Sequence, residues 1–217
     1  MDATMYLPLH FNEPRVDVLH KLIEEHPLGI LFTCSKEGMG ANHIPFLLDS
    51  GQGLLGTLHC HVARANRVWQ DVADGDGVLV VFRAADAYVT PTWYPSKRET
   101  GQQVPTWNYM VAHAEGKVRI RDDERYVRGM VARLTRFHEA KREAPWKMTH
   151  APKQYIDDIV KAIVGLEIEI TKLIGKSKLG QDDSIRDMRG AGLGLKAQGD
   201  VLLGEAMITR AHKDRQT

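Results

Sequence analysis

The chain has 217 residues, 43% hydrophobic and 26% charged, with a formal net charge of +1. That is the composition of a soluble globular protein, long enough for one large domain or one domain with a substantial extension, and its overall charge gives no sign of a nucleic acid or membrane partner. Cys34 and Cys60 are far apart and belong to no CxxC, which argues against a disulfide framework or a structural zinc site and suits a reducing cytoplasm.

The first residues lack the basic patch and apolar stretch of a signal peptide, and no apolar run reaches membrane-spanning length. Residues 13–25 predict a helix capped by Asn12, with Pro14 in its first turn and Val16, Leu19, Leu22 and Ile23 on one face. Short apolar runs follow at 28–34, 43–48, 54–59 and 78–82, separated by glycine turns at 37–40 and 50–53. This is an antiparallel strand pattern, interrupted only by a helix predicted over 63–72. A polar, aromatic connection over 90–104 leads to a strand over 104–121.

Tyr126, Val127, Met130, Val131, Leu134 and Phe137 mark a helix. A second helix follows Pro152, with Tyr155, Ile156, Ile159, Val160 and Ile163 expected on its buried face. Leu166, Ile168 and Ile170 alternate with Glu167, Glu169 and Thr171, which predicts a strand with one wet face. Beyond Gln181 the chain reads as helical to about Leu195, with Gly190, Gly192 and Gly194 expected to fray it. Residues 200–212 predict a last amphipathic helix. The expected architecture is mainly β, a six- or seven-stranded antiparallel barrel with flanking helices. Its domain covers 1–180, and a helical extension over 181–217 packs on the barrel or on a dimer partner.

The stretch from Leu58 to Trp69 carries the strongest chemical signal. It reads as a strand turning into a helix, with Arg64 in the first helical turn, where unpaired amides and the dipole favour an anion. His59, His61 and Asn66 crowd the same corner. The His59–His61 pair has no acidic or third histidine partner at ligand spacing, so no metal is expected. Pro45 cannot donate to a ladder, so the Asn42, His43, Ile44, Pro45 strand is at an edge, presenting either free backbone to a planar ligand or only a surface histidine.

Two Pro-Thr-Trp segments place Trp93 and Trp107 as opposing walls of one pocket or as a satellite aromatic core. Residues 175–181 read as a turn between strand and helix, where Lys178 and Gln181 are either anion ligands or a solvated turn. No P-loop, dinucleotide fingerprint, hydrolase elbow or helix-turn-helix is present.

Together the segments Met5-Tyr6-Leu7-Pro8, Asn42-His43-Ile44-Pro45, His61-Val62-Ala63-Arg64-Ala65-Asn66, Pro91-Thr92-Trp93-Tyr94 and Val104-Pro105-Thr106-Trp107-Asn108-Tyr109 resemble, in order and spacing, the PaiB-like FMN-binding negative transcriptional regulators. The resemblance runs from about residue 5 to about residue 195. It implies an FMN-binding split β-barrel like that of pyridoxamine-phosphate oxidase, usually a homodimer with FMN at the subunit interface. It also implies that the Asn42 to Pro45 strand lines the flavin ring, that the elbow at Arg64 and Asn66 holds the phosphate, and that the segment at Lys178 and Gln181 approaches from the last strand. The chain departs from the family pattern at Ser177, Gly180 and Asp182, where a tryptophan, a serine and an asparagine are usual.

The function expected from the resemblance is a flavin-binding regulator whose partner is DNA or a regulatory protein. A flavin-dependent oxidoreductase with a histidine proton donor (His59, His61 or His113) and a haem-handling split barrel are the alternatives.

Overall fold

The computed structural model describes residues 5–213. In chain order the elements are β1 (Asn12–Glu13), α1 (Val16–Glu25), β2 (Leu28–Ser35), β3 (Gly38–Pro45), β4 (Leu47–Asp49), β5 (Thr57–Ala63), α2 (Val68–Asp71), β6 (Gly77–Val89), α3 (Lys97–Thr100), β7 (Thr106–Arg121), α4 (Glu124–Glu139), α5 (Lys153–Lys161), β8 (Ile163–Lys178), α6 (Ile185–Gln198) and α7 (Val201–Lys213). The sheet has eight strands in the order β3-β2-β6-β7-β8-β5-β4, with β1 pairing β8. The antiparallel reading of the sequence holds, with more strands than the six or seven expected. No helix among the described residues is long and apolar enough to cross a membrane.

The residues form two compact units. One comprises His20–Phe82 and His113–Leu173. In it β2 and β3 make a hairpin from Leu28↔Pro45 to Ser35↔Gly38. β5 pairs with β8 from Thr57↔Glu169 to Ala63↔Ile163. Leu58, Cys60, Val62, Val164, Leu166 and Ile168 are buried along these two strands, as period-2 alternation requires. α4 starts at an N-cap, where Asp123 accepts from the Tyr126 amide at 2.7 Å, and buries Val127, Met130 and Leu134.

Several expectations fail in this unit. β5 runs on to Ala63 and the following helix begins only at Val68 and is four residues long, so residues 63–67 are strand end and turn rather than helix. Glu167 is buried, not wet, because Arg121 donates to it. On α5 only Val160 is buried, while Tyr155 and Ile159 stand 59% and 47% exposed. Spacing had placed all three on the buried face. It cannot tell a face that packs within the chain from one left open.

The other unit comprises residues 5–19, Arg83–Ala112 and 174–213. Asn12 and Glu13 pair with Lys176 and Gly175, so the expected helix cap is a strand residue and α1 starts at Val16. β8 continues through Lys178, so the segment 175–181 is strand to 178 and turns only beyond it. Val89, Tyr94, Met188, Leu195, Leu203 and Met207 form its core.

α6 is unbroken from a Ser184 cap to Gln198 despite its three glycines. They permit close approach: a Cβ on Gly192 would lie 2.9 Å from the Gly204 carbonyl oxygen of α7, and one on Gly194 would lie 2.4 Å from the Trp93 ring. Propensity alone predicts fraying; tertiary packing outweighs it.

This sets opposite signs for one chemical change. Gly192→Ala will destabilise by about 1–3 kcal/mol through overpacking. Gly129→Ala, in exposed helix with nothing within 4 Å of the new methyl, will stabilise by roughly 0.5–1 kcal/mol. Denaturant unfolding of both variants checks this, and a stabilised Gly192→Ala protein would refute the close-packing account.

Candidate functional site

β5 delivers the chain into the elbow at residues 64–67. The Arg64 amide donates to the Ala162 carbonyl at 2.8 Å and the Asn66 amide to the Ala63 carbonyl at 2.8 Å, which closes the turn. Asn66 then works in two directions. Its Oδ1 accepts from the Val68 amide at 3.0 Å, and its Nδ2 donates to Asn42 Oδ1 at 2.9 Å. The second bond ties the elbow to β3, the strand at one end of the sheet order. On β3, Asn42 is half-buried, His43 and Pro45 are exposed, and the Ile44 side chain is buried. The edge position inferred from Pro45 is the one observed.

Arg64 is not in a helical turn. Its Nε donates to the Lys161 carbonyl at 2.9 Å, and Nη1 and Nη2 form a fork on Asp122 at 2.9 and 2.5 Å. The Trp69 indole N–H donates to the Arg64 carbonyl at 3.0 Å. The fork holds the Asp122 carboxyl below its ordinary range. The guanidinium therefore already has an anionic partner, although its side chain remains 42% exposed. Sequence reasoning missed Asp122 because it lies 58 residues away with no local signal.

His59 and His61 share one face of β5, opposite Glu167 and Gly165 of β8. His59 is fully buried and its Nδ1 lies 2.7 Å from the Tyr126 hydroxyl. Tyr126, which the sequence marked only as part of a helix, lies over Gly165, where a Cβ would come within 2.9 Å of its ring. Arg121 donates to Glu167 at 3.1 and 3.3 Å and sits 4.9 Å from the Tyr126 ring centroid. His59 Nε2 and His61 Nδ1 are buried without a hydrogen-bond partner among the described residues. Burial pushes the pKa of both histidines down, and for His59 the Arg133 charge adds to it. No group of three or more metal-ligating side chains occurs among the described residues.

Trp93, Trp107, Lys178 and Gln181 belong to the other unit. Trp93 is half-buried against Gly194, so it is part of a satellite core. Trp107 is 56% exposed and meets Tyr88 edge to face. The Lys178 ammonium donates to Thr106 Oγ1, the Trp107 carbonyl and Asn108 Oδ1 at 2.5, 2.8 and 3.4 Å, which uses its three donors. Gln181 folds back, accepting from the Leu179 amide and donating to the Ser177 carbonyl. Within their own unit, Lys178 and Gln181 are bonded to the protein rather than held open for an anion.

Buried neutral histidines make stability depend on pH. His59, His61 and His113 all have pKa values lowered chiefly by burial. The unfolded chain then binds more protons below about pH 6.5, so stability is full above that value and falls with acidification. The midpoint of thermal unfolding will drop between about pH 7.5 and pH 5.5, and His59→Gln will shrink that drop. An unchanged pH slope in the variant would show that His59 takes up its proton equally in the folded and unfolded chain and contributes nothing to the drop.

The sequence model of the family described as "Putative FMN-binding domain" matches residues 5–172. An uncharacterized protein of Emericella nidulans is 34% identical over 82% of this chain and 85% of its own length. Protease synthase and sporulation protein PAI 2 of Bacillus subtilis is 25% identical over 84% of this chain and 85% of its own. Among solved structures, the flavocytochrome Anf3 of Azotobacter vinelandii superposes with a TM-score of 0.58 at 12% identity, covering 83% of this chain and 75% of that one. The FAD and heme binding protein of Mycobacterium smegmatis gives 0.57 at 18% identity, covering 78% and 74%. These structural likenesses concern the fold, an antiparallel split barrel.

Proposed function

The chain belongs to this FMN-binding domain family, and from that premise we propose that it binds FMN at the β3 edge and the β5 elbow and acts, as a homodimer, as a PaiB-like negative regulator. The observation that carries the reading is the Asn66–Asn42 bridge, which locks the elbow onto a proline-ended edge strand with an exposed histidine beside it. On the ring side the donor set fits: Asn42 and His43 stand where a heterocycle edge meets unladdered backbone. On the phosphate side the fit is a shared one, because Arg64 is already forked onto Asp122. A bound flavin supplies redox chemistry; the protein residues bind and orient it.

The homodimer is supported by the exposed apolar pair Tyr155 and Ile159, one turn apart on α5. The regulator role is supported by the resemblance to the PaiB-like proteins and by similarity to the Bacillus subtilis PAI 2 protein.

If Arg64 holds the phosphate in competition with Asp122, the two residues have opposite effects. Arg64→Ala will weaken FMN binding at least about tenfold, and Asp122→Asn will strengthen it by a similar factor, measured by quenching of flavin fluorescence. Equal affinity in all three proteins would remove Arg64 from the site. For the regulator role, a gel shift on DNA upstream of the protein's own coding region is expected to change between flavin-loaded and flavin-free protein. Absence of any shift at low salt defeats that role and leaves the flavin site standing.

A further inference from the structure

A second polar cavity lies beside α4, apart from the elbow residues. It has a volume of about 470 Å³ and is lined by Arg121, Asp123, Arg125, Tyr126, Gly129 and Arg133, together with Met130. That size is within the range of small-molecule sites.

Arg125, Gly129 and Arg133 stand at i, i+4 and i+8 on α4, so they form one stripe rising about 5–6 Å per step. At the centre of the stripe Gly129 leaves open space, since an added Cβ would meet nothing within 4 Å. Arg121 closes the stripe from the end of β7, with its guanidinium over the Tyr126 ring.

The lining carboxylate, Asp123, is tied to the helix start through the Tyr126 amide. Arg121 is neutralised from beneath by the buried Glu167, and Arg133 meets Asp49 at 3.5 Å. Arg125 has no hydrogen bond or ion pair among the described residues. Below the cavity, the Tyr126 wall rests on His59, whose buried Nε2 has no partner among the described residues.

We propose that this cleft binds the phosphate group of a small phosphorylated molecule. Guanidinium forks from Arg125 and Arg133 meet the oxyanion over Gly129, and Arg121 meets it from the strand side. The planar forks match phosphate geometry, and the missing side chain at Gly129 lets the anion reach the helix surface. Tyr126 then links occupancy of the cleft to His59 on β5, the strand that carries the elbow.

The test is calorimetric titration of the full chain with inorganic phosphate, at ionic strength held constant with chloride. Repeating it on an Arg64→Ala background removes any phosphate held at the elbow. One saturable site is expected in both proteins. Arg125→Gln will weaken it at least about tenfold. Gly129→Glu, which sets a carboxylate between the two arginines, will abolish it while raising or preserving the unfolding midpoint.

Undiminished affinity in both cleft variants, or loss of binding in Arg64→Ala alone, overturns the proposal. So does the absence of saturable phosphate binding when duplex DNA binds through Arg125, because the face would then read a polymer backbone.

Discussion

The register of β5 against β8 is the constraint on which both candidate sites depend. With Thr57 opposite Glu169 and Ala63 opposite Ile163, the residues Leu58, Cys60 and Val62 face the apolar interior. His59 and His61 then face α4, and the strand ends beside the carbonyls of Lys161 and Ala162 that receive Arg64. A slip of one residue would exchange the two faces, sending both histidines into the apolar interior and three apolar side chains towards α4. Gly165 enforces the observed pairing from the other strand. It stands opposite His61 under the Tyr126 ring, and any side chain there would collide with that ring.

Period and punctuation made much of the fold legible. Alternation in β7 and β8 and an apolar run near β5 identified strands, 3.6-residue spacing identified α4, and Pro45 marked an edge. The errors have one origin. Glu167 alternates as a wet residue should, yet it is buried because Arg121, 46 residues earlier, reaches it. Tyr155 and Ile159 keep helical spacing, yet each leaves about half of its surface exposed. The α6 glycines read as breakers, yet they are where α7 and Trp93 come closest. Each is a matter of what lies across the gap, and a local pattern carries no record of its partner.

The elbow shows the same limit at the site itself. Sequence spacing suggested a helix from residue 63, and with it an arginine at a positive dipole end. The strand instead continues to Ala63, because each of its residues from Thr57 on has a register partner on β8. Ladder pairing along seven residues outweighs a helix that survives for only four. What remains legible is the residue set, Asn42, Arg64 and Asn66. What was not is the carboxylate on Arg64, which under the proposed flavin site would set a protein acid in competition with a phosphate.

That competition bears on how the protein would respond to ligands. Asp122 is the residue between the end of β7 and the Asp123 cap of α4, and Arg121 precedes it. Three consecutive residues thus bind three different places: Arg121 reaches Glu167 on β8, Asp122 the elbow arginine, and Asp123 the start of α4. An anion drawing on Arg121 and an anion drawing on Arg64 would each pull on this one connection from opposite sides. The three residues are consecutive, so a shift of one is shared with its neighbours through the intervening peptide planes. If both proposed sites are filled, this three-residue segment is the route by which a phosphate at the cleft and a flavin at the elbow would couple, with a sign set by whether Asp122 is drawn towards Arg64 or away from it.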